Sequence, residues 1–402
     1  MNFVFVSLQR INTDRESTST SLAKELSKTH RVLYVNPPID RRTWMSGGHD
    51  PYIEAHKKMI KAGKAGLEKF SDNLSVLYPK RIIESVNWIP FTKIFSVFNK
   101  VNNLRFSADI KHALHELNFS DFILINDKDI FRSYYLKELL HPRLSIYLDR
   151  DYTLGFKYWQ RHGFELEPKL MQKSDGIVCN SLDFTRRAAK YNSNSFYIGN
   201  GADLSVFDYR KDWQMPIELK SMKRPIIGYV GALNSQRIDI GLIDSLAVKR
   251  PDWQFVFIGE EDDTFRTSRL HGRNNIMFIR KKHTSVVPGY VREFDVCINP
   301  QLVNEITIGN FPLKIVEYLA MGRPVVATAT NTMKEVFSDW TYLVNSADEY
   351  IMAIEKAIIE DNTNLQRKRI CAAHQFGWPS VAAKLLESID QIEKRKPDLH
   401  EK

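Results

Sequence analysis

Phe294-Asp295-Val296-Cys297-Ile298-Asn299-Pro300, then residues 301–309, then Asn310-Phe311-Pro312-Leu313-Lys314-Ile315-Val316-Glu317-Tyr318-Leu319-Ala320-Met321-Gly322-Arg323-Pro324-Val325-Val326-Ala327-Thr328 is the stretch that decides the fold class. Val296 to Ile298 is an apolar run stopped by Asn-Pro, as in a buried strand that ends there. Pro312 has the fixed φ of a first helical position, with Asn310 as a cap two residues earlier. Gly322 suits the C′ position that ends the helix, and Pro324 forbids its continuation. Val325 to Ala327 is a second buried strand. The order is strand, loop, helix, strand, with the loop at the carboxyl end of the first strand, where open α/β sheets bind ligands.

The helix places Lys314 and Glu317 three residues apart on one face. Amides at its N-terminus, around Phe311 and Leu313, favour a phosphate, and Lys314 adds positive charge to such a site. Glu317 is able to accept hydrogen bonds from a ribose diol. An ordinary surface helix with an i,i+3 ion pair satisfies the same spacing.

Outward from this stretch, the 402-residue length suggests two or three domains. Three scattered cysteines with no C-x-x-C argue against a disulfide framework and for a reducing, cytoplasmic compartment. Met1 to Leu8 reads as a first strand rather than a signal peptide, and no run approaches the ~20 apolar residues of a spanning helix. Of the net charge of +9, residues 41–111 alone hold +7. So local an excess points to a contact with an anionic surface, such as a membrane, rather than to nucleic acid. Within it, His56 to Phe70 is expected to form an amphipathic helix. Val86 to Phe106 mixes Trp88, Phe91, Phe95, Phe98 and Phe106 with Lys93, Lys100 and Arg105. Residues 56–106 thus suit either a membrane interface or a helix packed on the sheet.

Both halves alternate strand and helix. Strands are expected at Phe3–Leu8, Val32–Val35, Phe122–Ile125, Leu144–Leu148, Gly176–Cys179 and Phe196–Ile198. After a linker at Asp203–Lys223 they resume at Ile226–Val230, Gln254–Ile258, Ile276–Phe278, Asp295–Ile298 and Val325–Ala327. Helices are expected at Ile130–Leu140 and Glu165–Lys173, among others. The fold class is α/β: two Rossmann-like parallel-sheet domains facing across a cleft, at 1–205 and 206–375, with a terminal helical segment at 376–402. Asp149 and Asp151 sit at the end of one strand, where a carboxylate can orient a sugar or simply cap a loop.

Gly228-Tyr229-Val230-Gly231-Ala232-Leu233-Asn234-Ser235-Gln236-Arg237 forms a second candidate phosphate loop. Gly231 permits close backbone approach, and the Arg237 fork suits a diphosphate. This loop and the one before Lys314 should open on the same sheet edge. The first loop, from Gln9, carries no glycine, which counts against a Rossmann oxidoreductase. No H-E-x-x-H, G-x-S-x-G, Walker or zinc-type spacing is present.

The block PLKIVEYLAMGRPVVAT preceded by FDVCINP resembles the nucleotide-binding signature of GT-B retaining glycosyltransferases of the large family four, in its bacterial branch that builds cell-surface polysaccharides, including teichuronic-acid-type enzymes. RVLYVNPP, KSDGIVCNS, IGNGADLSVF and YVGALN extend the resemblance over about residues 1–390. It implies a nucleotide-sugar donor, UDP- or GDP-linked, bound mainly by the C-terminal domain, and a glycan or lipid-linked acceptor bound mainly by the N-terminal one. It also implies that the last helix crosses back to the N-terminal domain. Glu317 would bind the ribose, and amides at Asn310, Phe311 and Leu313 the diphosphate, with Gly231 and Asn234 lining the donor site. Arg237 and Lys314 would stabilise the departing diphosphate, and no metal or other cofactor is expected. Gln9, Arg10 and Asp149 would serve the acceptor side, and Asp151 would orient acceptor or donor sugar. Gly309 stands where many members carry a second glutamate. A sugar-nucleotide epimerase and a non-enzymatic nucleotide-sugar binder share this fold.

Overall fold

A computed structural model describes residues 1–13, 17–46, 50–150, 152–304, 307 and 311–395. The chain divides into two compact units, Met1–Gly199 with Val381–Lys402, and Asn200–Ser380.

The first unit holds β1 (Asn2–Ser7), β2 (Arg31–Val35), β3 (Leu67–Lys69), β4 (Leu74–Leu77), β5 (Ile123–Asp127), β6 (Leu144–Asp149), β7 (Gly176–Cys179) and β8 (Ser195–Tyr197), in the order β3-β4-β2-β1-β5-β6-β7-β8. All neighbours run parallel except β3 and β4. Its central strands are buried along their length, as Phe3 to Val6 illustrate. A parallel sheet covered on both faces requires such continuous apolar runs.

The second unit holds β9 (Ile226–Val230), β10 (Gln254–Ile258), β11 (Ile276–Ile279), β12 (Val296–Asn299), β13 (Val325–Thr328) and β14 (Tyr342–Val344), ordered β11-β10-β9-β12-β13-β14 and parallel throughout. One core, with Ile315, Val316 and Leu319 of helix Leu313–Ala320, covers one face of this sheet. Another, with Ile243, Leu246, Tyr350 and Ile354, covers the other. Strand order reverses between β9 and β12, and in the first unit between β1 and β5. The crevice at such a reversal lies outside the carboxyl ends of the strands.

Four expectations change. The helix expected over His56–Phe70 spans Pro51–Lys61, capped by the Asp50 carboxylate; Gly63 at φ +67° follows its end, and Leu67–Lys69 is an antiparallel edge strand. Only the last residues of the Ile130–Leu140 prediction, Leu136–Leu140, are helical, because turns occupy the remainder. The segment expected as a linker packs instead, with Phe207 and Leu219 buried in the second unit's core. Pro312 is the cap of the 313–320 helix rather than its first residue; Asn310, the expected cap, lies outside the described residues.

Candidate functional site

The reversal between β9 and β12 gathers the sequence-derived donor residues. β9 and β12 pair only at Val296↔Ile227 and Cys297↔Gly228, then diverge. Tyr318 serves the backbone left behind: the Val230 N–H donates to its Oη at 2.7 Å, and the hydroxyl donates to Val230 O at 3.3 Å. Gly228 exists because Phe294 lies against it; a Cβ there would stand 2.0 Å from that ring.

Beyond β9 the chain turns at Gly231, whose φ of +147° disfavours any side chain. Lys314 fills the space beside it. Its Nζ donates to Tyr229 Oη at 2.6 Å and lies 4.1 Å from the Tyr229 ring centroid. A Cβ on Gly231 would come 2.9 Å from that Nζ and 3.0 Å from the Tyr229 hydroxyl. Gly231→Ala should therefore displace the ammonium as well as strain the turn. We expect about a tenfold loss of nucleotide affinity by calorimetry with the protein still folded; unchanged affinity would show that the Lys314 position is immaterial.

Loops from the two strands are sewn together. Asp239 N–H donates to Pro300 O (2.9 Å), Leu302 N–H to Arg237 O (2.8 Å), and Asn304 Nδ2 to Gln236 O (2.8 Å). Both candidate phosphate loops thus open on one sheet edge, as their spacing implies. Asn234 shapes its own turn: its Oδ1 accepts from Gln236 N–H at 2.9 Å, and its carbonyl from the Arg237 and Ile238 amides. Arg237 is exposed, and its guanidinium has no partner among the described residues.

Leu313 and Lys314 open the helix, so their amides have no intrahelical acceptor. The Phe311 side chain packs on Phe337 and Phe376, at centroid distances of 5.2 and 5.9 Å, and so anchors that end of the helix in the core. Glu317 is half-buried. Its carboxyl makes no hydrogen bond and no ion pair among the described residues, so the i,i+3 pair with Lys314 does not form, the ammonium bonding Tyr229 instead. Burial pushes it up from 4.5 to about 7, with Lys314 acting in the opposite direction. A preorganised ammonium, the helix-opening amides, and a guanidinium and a carboxyl unpaired among the described residues lie on one edge and can bind a diphosphate and a diol.

The sequence singled out neither Tyr229 nor Tyr318 for a role. Both sit at positions where apolar periodicity merely predicts core, and a hydroxyl meeting a backbone or an ammonium leaves no signature in spacing.

In the first unit, Asp149 is fully buried. One oxygen takes Lys128 and the other Arg187 at 2.7 Å, with Glu167 on the same lysine at 2.7 Å. Its partners are structural, and no oxygen is left facing outward. Asp151 lies outside the described residues, as do Gly309 and Asn310. Gln9 is exposed. The Arg10 Nη1 donates to His56 Nδ1 at 3.0 Å, while His56 Nε2 donates to Pro79 O at 2.9 Å. Burial, with Arg10 beside it, lowers His56 to about 4, so it is a neutral acceptor at pH 7. At the β1/β5 reversal, Ser7 and Arg150 both bond Asp127, which closes that point internally.

The Glycosyl transferases group 1 family profile matches residues 224–360. A Bacillus subtilis (strain 168) protein with the provisional name teichuronic acid biosynthesis glycosyltransferase TuaH is 24% identical over 222 residues; the match spans 52% of this chain and only 55% of that relative. Among solved structures, Thermosynechococcus elongatus sucrose-phosphate synthase has a TM-score of 0.63 at 14% identity, covering 98% of this chain and 99% of its own. Anabaena Alr3699/HepE in complex with UDP has a TM-score of 0.64 at 14% identity, covering 97% and 99%; its complex with UDP-glucose, also 14% identical, scores 0.60 and covers 97% and 100%. These likenesses give a GT-B fold, and residues 224–360, which contain Gly231, Arg237, Lys314 and Glu317, are a glycosyl transferases group 1 domain.

Proposed function

We propose that the protein is a hexosyltransferase, moving a sugar from a UDP- or GDP-linked donor to a glycan or lipid-linked acceptor, with retention, in cell-surface polysaccharide biosynthesis. The observation that carries this is the pairing on one helix of an ammonium fixed by Tyr229 with an unpaired carboxyl three residues on, at the carboxyl edge where β9 and β12 part. The UDP and UDP-glucose complexes of the Anabaena protein of the same fold favour a uridine donor.

In this reading the bond between the sugar's anomeric carbon and the diphosphate oxygen breaks, and negative charge grows on the diphosphate. The Leu313 and Lys314 amides, the Lys314 ammonium and the Arg237 guanidinium meet that charge; Glu317 takes the ribose hydroxyls. Fixed donors of this kind cost little reorganisation as charge moves. The protein supplies no covalent nucleophile, and the step needs no metal.

A cytoplasmic, membrane-peripheral location belongs to the same proposal. Among the described residues no helix is long and apolar enough to cross a membrane. Lys58, Lys61 and Lys64 are exposed and available to an anionic surface, whereas Lys57 is buried on Glu54 and the Ser46 carbonyl.

The test is calorimetric binding and turnover of UDP-, GDP- and TDP-sugars. A UDP- or GDP-hexose should bind and release its nucleoside diphosphate when acceptor is present. Failure of every nucleotide-sugar to bind the folded protein would overturn the proposal.

A further inference from the structure

Helix Thr92–Glu116 has two kinds of buried face. In its second half Phe106, Ile110 and Ala113 join the core around Val4 and Leu33, as in any amphipathic helix on a sheet. In its first half asparagines take their place. The Asn99 and Asn103 Nδ2 groups donate to Phe131 O at 2.7 and 2.9 Å, and Asn102 Nδ2 donates to Glu84 O at 2.9 Å. Asn103 Oδ1 accepts the Tyr135 N–H at 2.9 Å. Hydrogen bonds thus fix the helix where most of its apolar side chains point the other way.

Those side chains are Ile94, Val97, Phe98, Val101 and Leu104, all exposed and all on one side of the helix, with Phe91 ahead of them at 67%. Trp88, 73% exposed, extends the stripe on the Ile94 and Phe98 side. Arg161 Nη1 donates to the Asn87 and Trp88 carbonyls at 3.2 and 2.9 Å and so fixes that loop against helix Lys157–Lys173. Phe164, one turn beyond Arg161 on the same face, is exposed too. Scattered exposed apolar residues are ordinary; a continuous stripe is not.

Charge along the stripe has one sign. Lys93, Lys100 and Lys111 follow one another along its edge at near whole-turn spacing, exposed and without an ion pair among the described residues. The neighbouring carboxylates are neutralised in place. Glu165 takes Lys169 at 2.7 Å, Glu84 takes Arg41 and Arg105 at 2.6 and 2.7 Å, and Asp109 is buried on Arg81. A row of ammoniums beside a long apolar face is the pattern of a helix lying in a membrane interface. Two copies joined stripe to stripe would concentrate these ammoniums at one interface, which like charge disfavours; anionic headgroups answer them.

We infer that this stripe is the face on which the protein lies on an anionic bilayer. Helix Thr92–Glu116 runs in the plane of the membrane, its apolar side chains below the headgroups and Lys93, Lys100 and Lys111 among them. This assignment rests on the membrane-peripheral location proposed above and makes it specific. Contact is by insertion of the stripe, and Lys58, Lys61 and Lys64 add only attraction from a distance. A bilayer, unlike a protein partner, needs no complementary shape. It needs a long apolar face with an aromatic at the water boundary and cations along the edge, which Trp88 and the three lysines supply.

Sedimentation of the full chain with vesicles tests the assignment. Phosphatidylcholine vesicles containing phosphatidylglycerol should bind the protein about tenfold or more tightly than pure phosphatidylcholine, since each ammonium gains from the anionic surface. Val97→Asp and Phe98→Asp, both at exposed positions and so compatible with folding, should each weaken binding about tenfold or more while UDP binding stays the same. Tryptophan fluorescence should shift to the blue on vesicle addition, and Trp88→Phe should remove most of that shift. Binding that falls with Lys58→Glu, Lys61→Glu and Lys64→Glu but ignores Phe98→Asp would overturn the stripe as the contact and leave the peripheral location standing. Failure to bind either vesicle would overturn both. Protein that ignores vesicles, sediments as a dimer and becomes a monomer on Val97→Asp would make the stripe an interface between copies instead. UDP binding by the same samples reports on the donor site separately, so the glycosyltransferase reading stands or falls apart from the vesicles.

Discussion

Lys314→Ala should lower kcat/KM for sugar transfer by roughly 10²–10³, the range for removing one fixed donor aimed at developing charge. The lysine is prepared for that role in the unliganded protein. Tyr229 Oη holds its Nζ at 2.6 Å, and the ring face lies 4.1 Å below it. A cation over an aromatic face and bonded to its hydroxyl has lost much of the freedom that a flexible stem otherwise keeps. Tyr229→Phe keeps the ring and removes the bond, so its loss should fall between wild type and Lys314→Ala. Because Lys314 makes no ion pair among the described residues that truncation would orphan, thermal unfolding of Lys314→Ala should shift by no more than a few degrees, so that lost rate reports on catalysis and not on folding. A transfer rate within threefold of wild type would remove Lys314 from the mechanism.

The second half of the chain was the more legible. Its strands are short apolar runs closed by Asn-Pro, glycine or charge, and they appear within a residue or two of where such signals put them. Tyr342–Val344 escaped because two half-buried residues and one buried valine at a sheet edge carry little apolar pattern. In the first half, the amphipathic reading of His56–Phe70 counted lysines as solvent-facing, yet Lys57 is buried on Glu54 and Ser46. Gly63 and Gly66, poor residues for a helix interior, are positive-φ points around which the chain reverses into β3. Asp149 shows the other limit. A carboxylate at a strand end has one sequence signature, whether it faces a ligand or, as here, takes Lys128 from 21 residues earlier and Arg187 from 38 residues later. Long-range partners of that kind are invisible to spacing. The Lys314–Glu317 pair was ambiguous for a related reason: i,i+3 geometry permits an ion pair, and only the competing Tyr229 hydroxyl explains why none forms.

Glu317 should link nucleotide binding to protons. Its carboxyl sits near 7 in the free protein because burial removes the water that would solvate its charge. A ribose diol donating two hydrogen bonds favours the ionised form, so binding lowers this pKa and expels a proton below about pH 7. UDP affinity should rise with pH up to about 7 and then level, with proton release visible as a dependence of the binding enthalpy on buffer ionisation. Glu317→Ala should cost about 1.5–3 kcal/mol of binding, roughly 10–100-fold, the range for hydrogen bonds to a charged group. Stability must move the opposite way. The folded protein holds this proton more tightly than the unfolded chain does, so stability falls as pH rises from about 4.5 to about 7 and is flat on either side. Glu317→Gln removes that fall. The variant should match wild type at pH 4 and exceed it at pH 8 by about 2–3 kcal/mol, while binding UDP more weakly. A Gln variant no more stable than wild type at pH 8, or UDP binding without proton release at pH 6, would mean that the carboxyl is already ionised and partnered. A residue whose removal strengthens the fold and weakens the ligand is under constraint from the ligand; for Glu317 that constraint is the unpaired carboxyl, which the fold bears at a cost until a diol arrives.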